Sequence, residues 1–321
     1  MYRFLILQLL LIAPTGFAAD WSRSPQNPVL ARGEKKSFDW TSLAHPCVVK
    51  HEGRYFLYHS AGNSYVKKQL SLAISTDGVT FRKTNRALLP VPKSGQHFTP
   101  ALLRQPNGEL LIENGHWHLF YSTENREIEH AVSKDGLTWE RDSRSPVLKN
   151  AERCSIIRVD DEYRMYYCHD PGVVDGRPQP WEIHLATGPD IYSLKPHPDN
   201  PVLKRSQEWE GKRLFYPYII RENNTWVLFY ASYWSPFIRE HDVAAAAIGF
   251  ATSNDGVRWR KSDRNPVVTP TPDSDYDATY TSSPCVIRDD DHWKLYYMSR
   301  INQKWKSHAI GLATKPGRLV D

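Results

Sequence analysis

Ala73-Ile74-Ser75-Thr76-Asp77-Gly78-Val79-Thr80-Phe81 returns, with changes, along the whole chain. It recurs as Ala131 to Trp139 and as Ala251 to Trp259. Worn copies read Ala186-Thr187-Gly188-Pro189-Asp190 and Ala313-Thr314-Lys315-Pro316-Gly317. The copies stand 55 to 65 residues apart, and a fixed period of that size marks a repeat architecture.

A second signal precedes each copy. Pro46-Cys47-Val48-Val49 leads into Tyr55-Phe56-Leu57-Tyr58. Pro217 to Ile220 leads into Trp226 to Phe229, and Pro284 to Ile287 into Trp293 to Tyr296, at the same offset. Cys154 to Ile157 fits with cysteine in place of proline, and Pro100 to Leu103 fits with a longer hairpin. Each unit reads as four strands. A short apolar strand starts at the proline, where a missing N–H is tolerated. An alternating aromatic–aliphatic strand follows, and the Ala-x-Ser segment ends the third. Asp-Gly is expected as a tight turn needing positive φ, and the aromatic opens the fourth strand. Four-stranded units repeated radially predict an all-β, five-bladed β-propeller.

The outer segments say how the ring should close. A Pro-Val lies seven residues after Trp139, Leu194 and Trp259, at Pro146, Pro201 and Pro266. The last unit lacks one, while Trp21 to Pro28 near the N-terminus shows the same spacing. Residues 21–30 are therefore expected to complete the last blade, since an unpaired edge strand invites aggregation. The blades fall at about 39–90, 93–148, 150–203, 208–268 and 273–321 plus 21–30, in one domain over 19–321.

Residues 1–18 read as a signal peptide. Arg3 precedes an apolar run, Phe4 to Ala13, too short to span a bilayer, and cleavage is expected near Ala18. The mature chain should be periplasmic or secreted, with no membrane anchor. A net charge of +5 without basic runs interleaved with aromatics does not point to nucleic acid. Of the four cysteines, Cys154 and Cys168 flank a predicted hairpin, where a cross-strand bridge and two free thiols are both open readings. Cys47 and Cys285 should be free and buried. No zinc spacing occurs.

The repeated Ala-x-Ser-x-Asp-Gly-x-x-aromatic and Asn-Pro-Val segments resemble those of the five-bladed glycoside hydrolases, such as families 43, 32, 62, 68, 117 and 130. The resemblance spans the mature chain. Sialidase Asp-boxes differ, with one residue between Asp and Gly. Asp77, Asp135 and Asp255 themselves lie in outer turns and read as turn formers. In the family 43 pattern an Asp before the first inner strand is the general base, an Asp on blade two orients, and a Glu opening blade three is the general acid. Two carboxyl groups are needed because one protonates the leaving oxygen while the other activates water or attacks. Here those positions hold His45, Ala101 and Glu152. Glu152 is thus the expected acid.

For the base, Asp39, Glu210 and Asp277 each lie seven residues before an inner-strand proline. Their recurrence also fits a structural cap, and Asp39, entering the first blade, is the choice among them. Family 117 is associated with a histidine acid, so His45 or His169 could transfer protons. His97, His169, Asp170, Glu210, Tyr216, Asp277 and Arg300 are expected to bind substrate, with Arg300 and Arg239 suited to a carboxylate or sulfate. The Gly/Pro-rich stretch from Pro171 to Pro180 reads as a substrate-facing lid. The function expected is an exported glycoside hydrolase using carboxylate chemistry, His-assisted or not, on a poly- or oligosaccharide in the central funnel. A glycan-binding propeller without catalysis and a polysaccharide lyase acting on a uronic-acid glycan are the alternatives. No cofactor is required, although a structural Ca2+ could sit in the central channel.

Overall fold

The computed structural model describes residues 21–64, 67–91, 95–234, 245–301 and 308–320. The expected signal peptide and Arg239 lie outside them. Among the described residues the chain is all strand, turn and loop, without a helix.

One antiparallel arrangement recurs. In the first unit Ser42–His51, Arg54–Ser64, Lys67–Ser75 and Arg82–Lys83 pair in order. The second unit is His97–Leu102, Trp117–Thr123, Glu127–Ser133 and Glu140–Arg141, with Leu148–Lys149 also on its third strand. The third is Glu152–Val159, Glu162–His169, Glu182–Gly188 and Lys195–Pro196. The fourth is Glu210–Glu222, Thr225–Trp234, Ala246–Ser253 and Arg260–Lys261. In the last, Tyr280–Asp289, His292–Arg300 and His308–Pro316 are joined at the outside by Ser22–Arg23 and Leu30–Ala31 from the other end of the chain. Fourth strands are only two residues long. The repeated aromatic stops short of them and packs sideways instead.

The outer turns explain the repeated motif. Ser75 Oγ accepts the N–H groups of Asp77 and Gly78, and Asp77 Oδ1 accepts those of Val79 and Thr80, at 2.7–3.1 Å. Ser133/Asp135 and Ser253/Asp255 repeat this. Four N–H groups are thereby satisfied in a wide turn rather than a tight hairpin. The glycine, at φ 70° in Gly78, turns its carbonyl toward a neighbouring unit. Tyr58 donates to Gly136 O, Tyr166 to Gly256 O and Tyr296 to Gly78 O, each at 2.7 Å. The motif aromatic meets the same tyrosine edge-on: Trp139 on Tyr58, Trp259 on Tyr166, Phe81 on Tyr296.

The Asn-Pro-Val segments have an equally local cause. Asn200 and Asn265 each use the side-chain amide as a strand would, accepting the N–H and donating to the C=O of Leu185 and Phe250 at 2.8–2.9 Å. Ser145 does the same on His130. Near the N-terminus Asn27 clamps Leu312 in this way, at 2.8 and 2.9 Å. Trp21, Val29 and Leu30 are buried beside it.

All four cysteines are free and buried. The Cys154–Cys168 bridge, one of the two open readings, is absent for a register reason. The hairpin turns between Asp160 and Asp161, with Val159 facing Glu162, which already offsets Cys168 from Cys154, and the ladder shift at left-handed Arg153 (φ 55°) moves Cys168 on to face Glu152.

Candidate active site

The same register shift occurs in every inner strand. His45, Thr99, Arg153, Tyr216 and Ser283 sit at φ 58°, 54°, 55°, 55° and 50°, each just before Pro or Cys154. At each the antiparallel ladder slips, as between Ala44 and Cys47 or Phe215 and Tyr218. Left-handed backbone is costly for a side-chain-bearing residue, above all before proline, and such bulges re-aim side chains where function needs them. All five residues converge on one narrow channel.

Above the channel opens a cavity of about 450 Å³ that shares His45, Arg153 and Tyr216 with it. Carboxylates Glu124 and Glu152 line it, with Lys68, Arg126, Arg153 and Arg213, and an aromatic wall that includes Trp181, Tyr233 and Tyr280. Glu152 Oε2 lies 2.6 Å from Arg153 Nη1. Arg126 pairs with Asp170 at 2.8 Å, so Asp170 stands behind the lining and steadies it. His45 Nδ1 meets Ser60 Oγ at 2.8 Å and Nε2 meets Tyr216 Oη at 2.9 Å. Burial, then the charges of Lys68 and Arg153, hold His45 well below the usual histidine range, so the ring is neutral. Lys68 is brought down to about 8, first by burial and then by Arg153 and Arg300. Burial raises the Tyr216 phenol.

Other residues singled out in the sequence are placed elsewhere. Asp39 is buried against Lys83 at 2.6 Å, Glu210 against Lys261 at 2.5 Å, and Asp277 against Arg23 at 2.8 Å. These three carboxylates do not line the cavity. Their partners share one position in the outermost strand, opposite Ala73, Ala251 and Ala313, and Arg141 opposite Ala131 holds Glu129 likewise. The recurrence noticed in the sequence is thus a recurring buried ion pair. His97 is buried against Tyr121 (4.6 Å), and His169 packs on His184 (4.5 Å) with Nδ1 on Asn150 O. Arg300 lies behind the wall, its guanidinium 3.7 Å from the centre of the Tyr280 ring. The stretch from Pro171 to Pro180 forms a small hairpin, Val173–Val174 with Arg177–Pro178, which adds nothing to the lining.

The channel does not suit Ca2+, which takes carboxylate and carbonyl oxygens. Cys47, Cys154 and Cys285 line it, with the buried Arg104 guanidinium 3.4 and 3.7 Å from two of the sulfurs. Among the described residues no group of three or more His, Cys, Asp or Glu could hold a metal.

Sequence reasoning missed Lys68, Glu124, Arg126, Trp181 and Arg213. They come from third-strand starts, second-strand exits and one inner-strand approach, and only the prolines flag which end of a unit faces the cavity.

No protein-family model and no curated protein sequence matches the chain. Solved structures do. A BT0996 complex with RGII is 18% identical over 94% of each protein, with a TM-score of 0.72. A thermostable family-43 glycoside hydrolase is 18% identical over 91% of each protein (TM-score 0.67). The catalytic domain of the Coprinopsis cinerea GH62 alpha-L-arabinofuranosidase is 14% identical over 92% of this chain and 96% of its own (TM-score 0.67). The chain therefore has the fold of the β-propeller glycoside hydrolases.

Proposed function

We propose that this protein is an exported glycoside hydrolase, a closed five-bladed ring with its active site in the cavity at the inner-strand starts. Contacts support the ring: Tyr296 of the last unit donates to Gly78 of the first, and Val48 N–H of the first donates to Cys285 Sγ of the last. The outer strand of residues 21–31 supplies the edge the last unit lacks. Export rests on the apolar segment after Arg3.

The observation that carries the activity is that Glu152 and Glu124, two carboxylates, share one cavity with a neutral His45. Glycosidic cleavage needs a proton donor and a base or nucleophile on either side of the bond. Glu152 is the proton donor, at the place the resemblance gives the acid. Its ion pair with Arg153 opens, or passes to the substrate, when it takes up the proton. Glu124 or His45, the latter at the resemblance's base position, activates water. The glycan seats on the aromatic wall, whose ring faces suit the apolar faces of sugars.

The test is Glu152→Gln, which keeps shape but removes the transferable proton. Turnover of a natural glycan should fall roughly 10²- to 10⁴-fold, with little change on a substrate whose leaving group needs no protonation. Equal loss on both substrates would remove Glu152 from the acid role. A variant as active as the parent on both would transfer the search to Glu124 and His45.

A further inference from the structure

The cavity is out of charge balance. Four cations line it against two carboxylates, with Asp170 behind Arg126 as a third. Arg153 is matched by Glu152, and Arg126 by Asp170. Although Glu152 attracts Lys68 from farther off and Glu124 also lines the cavity, among the described residues neither Lys68 nor Arg213 forms an ion pair. Both are half-buried, and a long cationic side chain is rarely held so without a counter-charge.

Aromatic rings lie against these charges. The guanidinium carbons of Arg213 and Arg153 lie 4.2 and 4.6 Å from the centre of the Trp181 ring. Indole contact of this kind occupies a guanidinium face and leaves its N–H edge available. Lys68 lies over Phe98 at 5.8 Å and feels the charge of Arg153. An oxyanion entering here meets guanidinium N–H groups and an ammonium beside the aromatic wall.

We propose that this site is selective for an anionic sugar, one bearing a uronate carboxylate or a sulfate ester, with Arg213 and Lys68 as its specificity-determining residues and Arg153 shared between the sugar's oxyanion and Glu152. This inference rests on the cavity being the substrate site proposed above. Engagement of Arg153 by the sugar also gives a reason for its pair with Glu152 to loosen only when the correct substrate is bound.

Affinity electrophoresis of the whole protein at low temperature tests this. Gels would contain homogalacturonan, methyl-esterified homogalacturonan, alginate or carrageenan, or the neutral arabinan and mannan. Acidic polysaccharide should retard the protein and the neutral ones should not. R213Q and K68M should each weaken that binding about tenfold or more, whereas the exposed-site control K195M should not. Loss on methyl esterification identifies the oxyanion as carboxylate, and retardation by carrageenan alone identifies sulfate. Thermal melting establishes that each variant is folded, and K68R, which keeps the charge, should bind better than K68M. Retardation by none of the acidic glycans, by neutral ones equally, or unchanged in R213Q and K68M, overturns the inference. Reducing-end release keeps the two readings apart. Charge-independent cleavage of a neutral glycan overturns the selectivity and leaves the glycosidase standing. Charge-dependent binding without cleavage of any glycan does the reverse.

Discussion

Removing residues 21–31 should abolish a stable fold. The segment buries Trp21, Val29 and Leu30 at 5%, 7% and 4% exposure. At roughly 1.5–3 kcal/mol for each fully buried apolar side chain, their loss costs about 5–9 kcal/mol. Trp21 also meets Phe229 of the fourth unit edge-on at 6.1 Å, so a second interface is exposed. Loss of Asn27 would leave both backbone groups of buried Leu312 without partners, about 1–3 kcal/mol more. Asp277, whose side chain is 0% exposed, would lose Arg23. Against a typical net stability of about 5–15 kcal/mol, the deletion leaves little or nothing. Urea unfolding followed by tryptophan fluorescence and circular dichroism is the assay. Point variants grade the effect: Trp21→Ala should cost about 3–5 kcal/mol and Leu30→Ala about 2–5. A truncated protein that unfolds cooperatively at the parent midpoint would refute the reasoning, because the segment would then be decoration rather than the outer strand of the last unit.

Two further outcomes follow from the buried titratable groups. Asp39→Asn strands Lys83 in a largely buried position and should lower stability by about 3 kcal/mol, with cleavage per folded molecule unchanged. A lost rate at an unchanged urea midpoint would instead return Asp39 to the role of base. Burial is also the main force holding His59 and His130 at about 4, below the ordinary histidine value of 6.5. The unfolded chain therefore takes up protons first. Stability should be complete above about pH 6.5 and decline as the pH falls toward 4, and a urea midpoint that stays flat between pH 7 and 4.5 would contradict this.

Much of the fold was legible in the sequence because its causes are local. Ser75 and Asp77 tie up N–H groups within five residues of themselves, so the motif announces its turn wherever it stands. The Pro-Val recurs seven residues after the residue that opens the outer segment, and Trp21 to Pro28 keeps that spacing, so the stretch around Asn27 betrayed its pairing with the far end of the chain. His45, Glu152 and Tyr216 were within reach for the same reason, since Pro46, Cys154 and Pro217 mark where each inner strand enters the cavity.

What the sequence alone could not decide is which side chains meet. The partners of Asp39, Glu210 and Asp277 stand 44, 51 and 254 residues away, and only packing turns three suggestive carboxylates into buried ion pairs. The hairpin's turn at Asp160 and Asp161 offsets Cys168 from Cys154, and a one-residue slip at Arg153 sets it opposite Glu152. Lys68, Glu124, Arg126, Trp181 and Arg213 carry no motif, and each would pass for a loop or surface residue in its own unit. The repeat specifies the frame through nearest-neighbour chemistry. The charge and shape of the cavity come from the ends of several units brought to one place, a sum no single stretch of the chain contains.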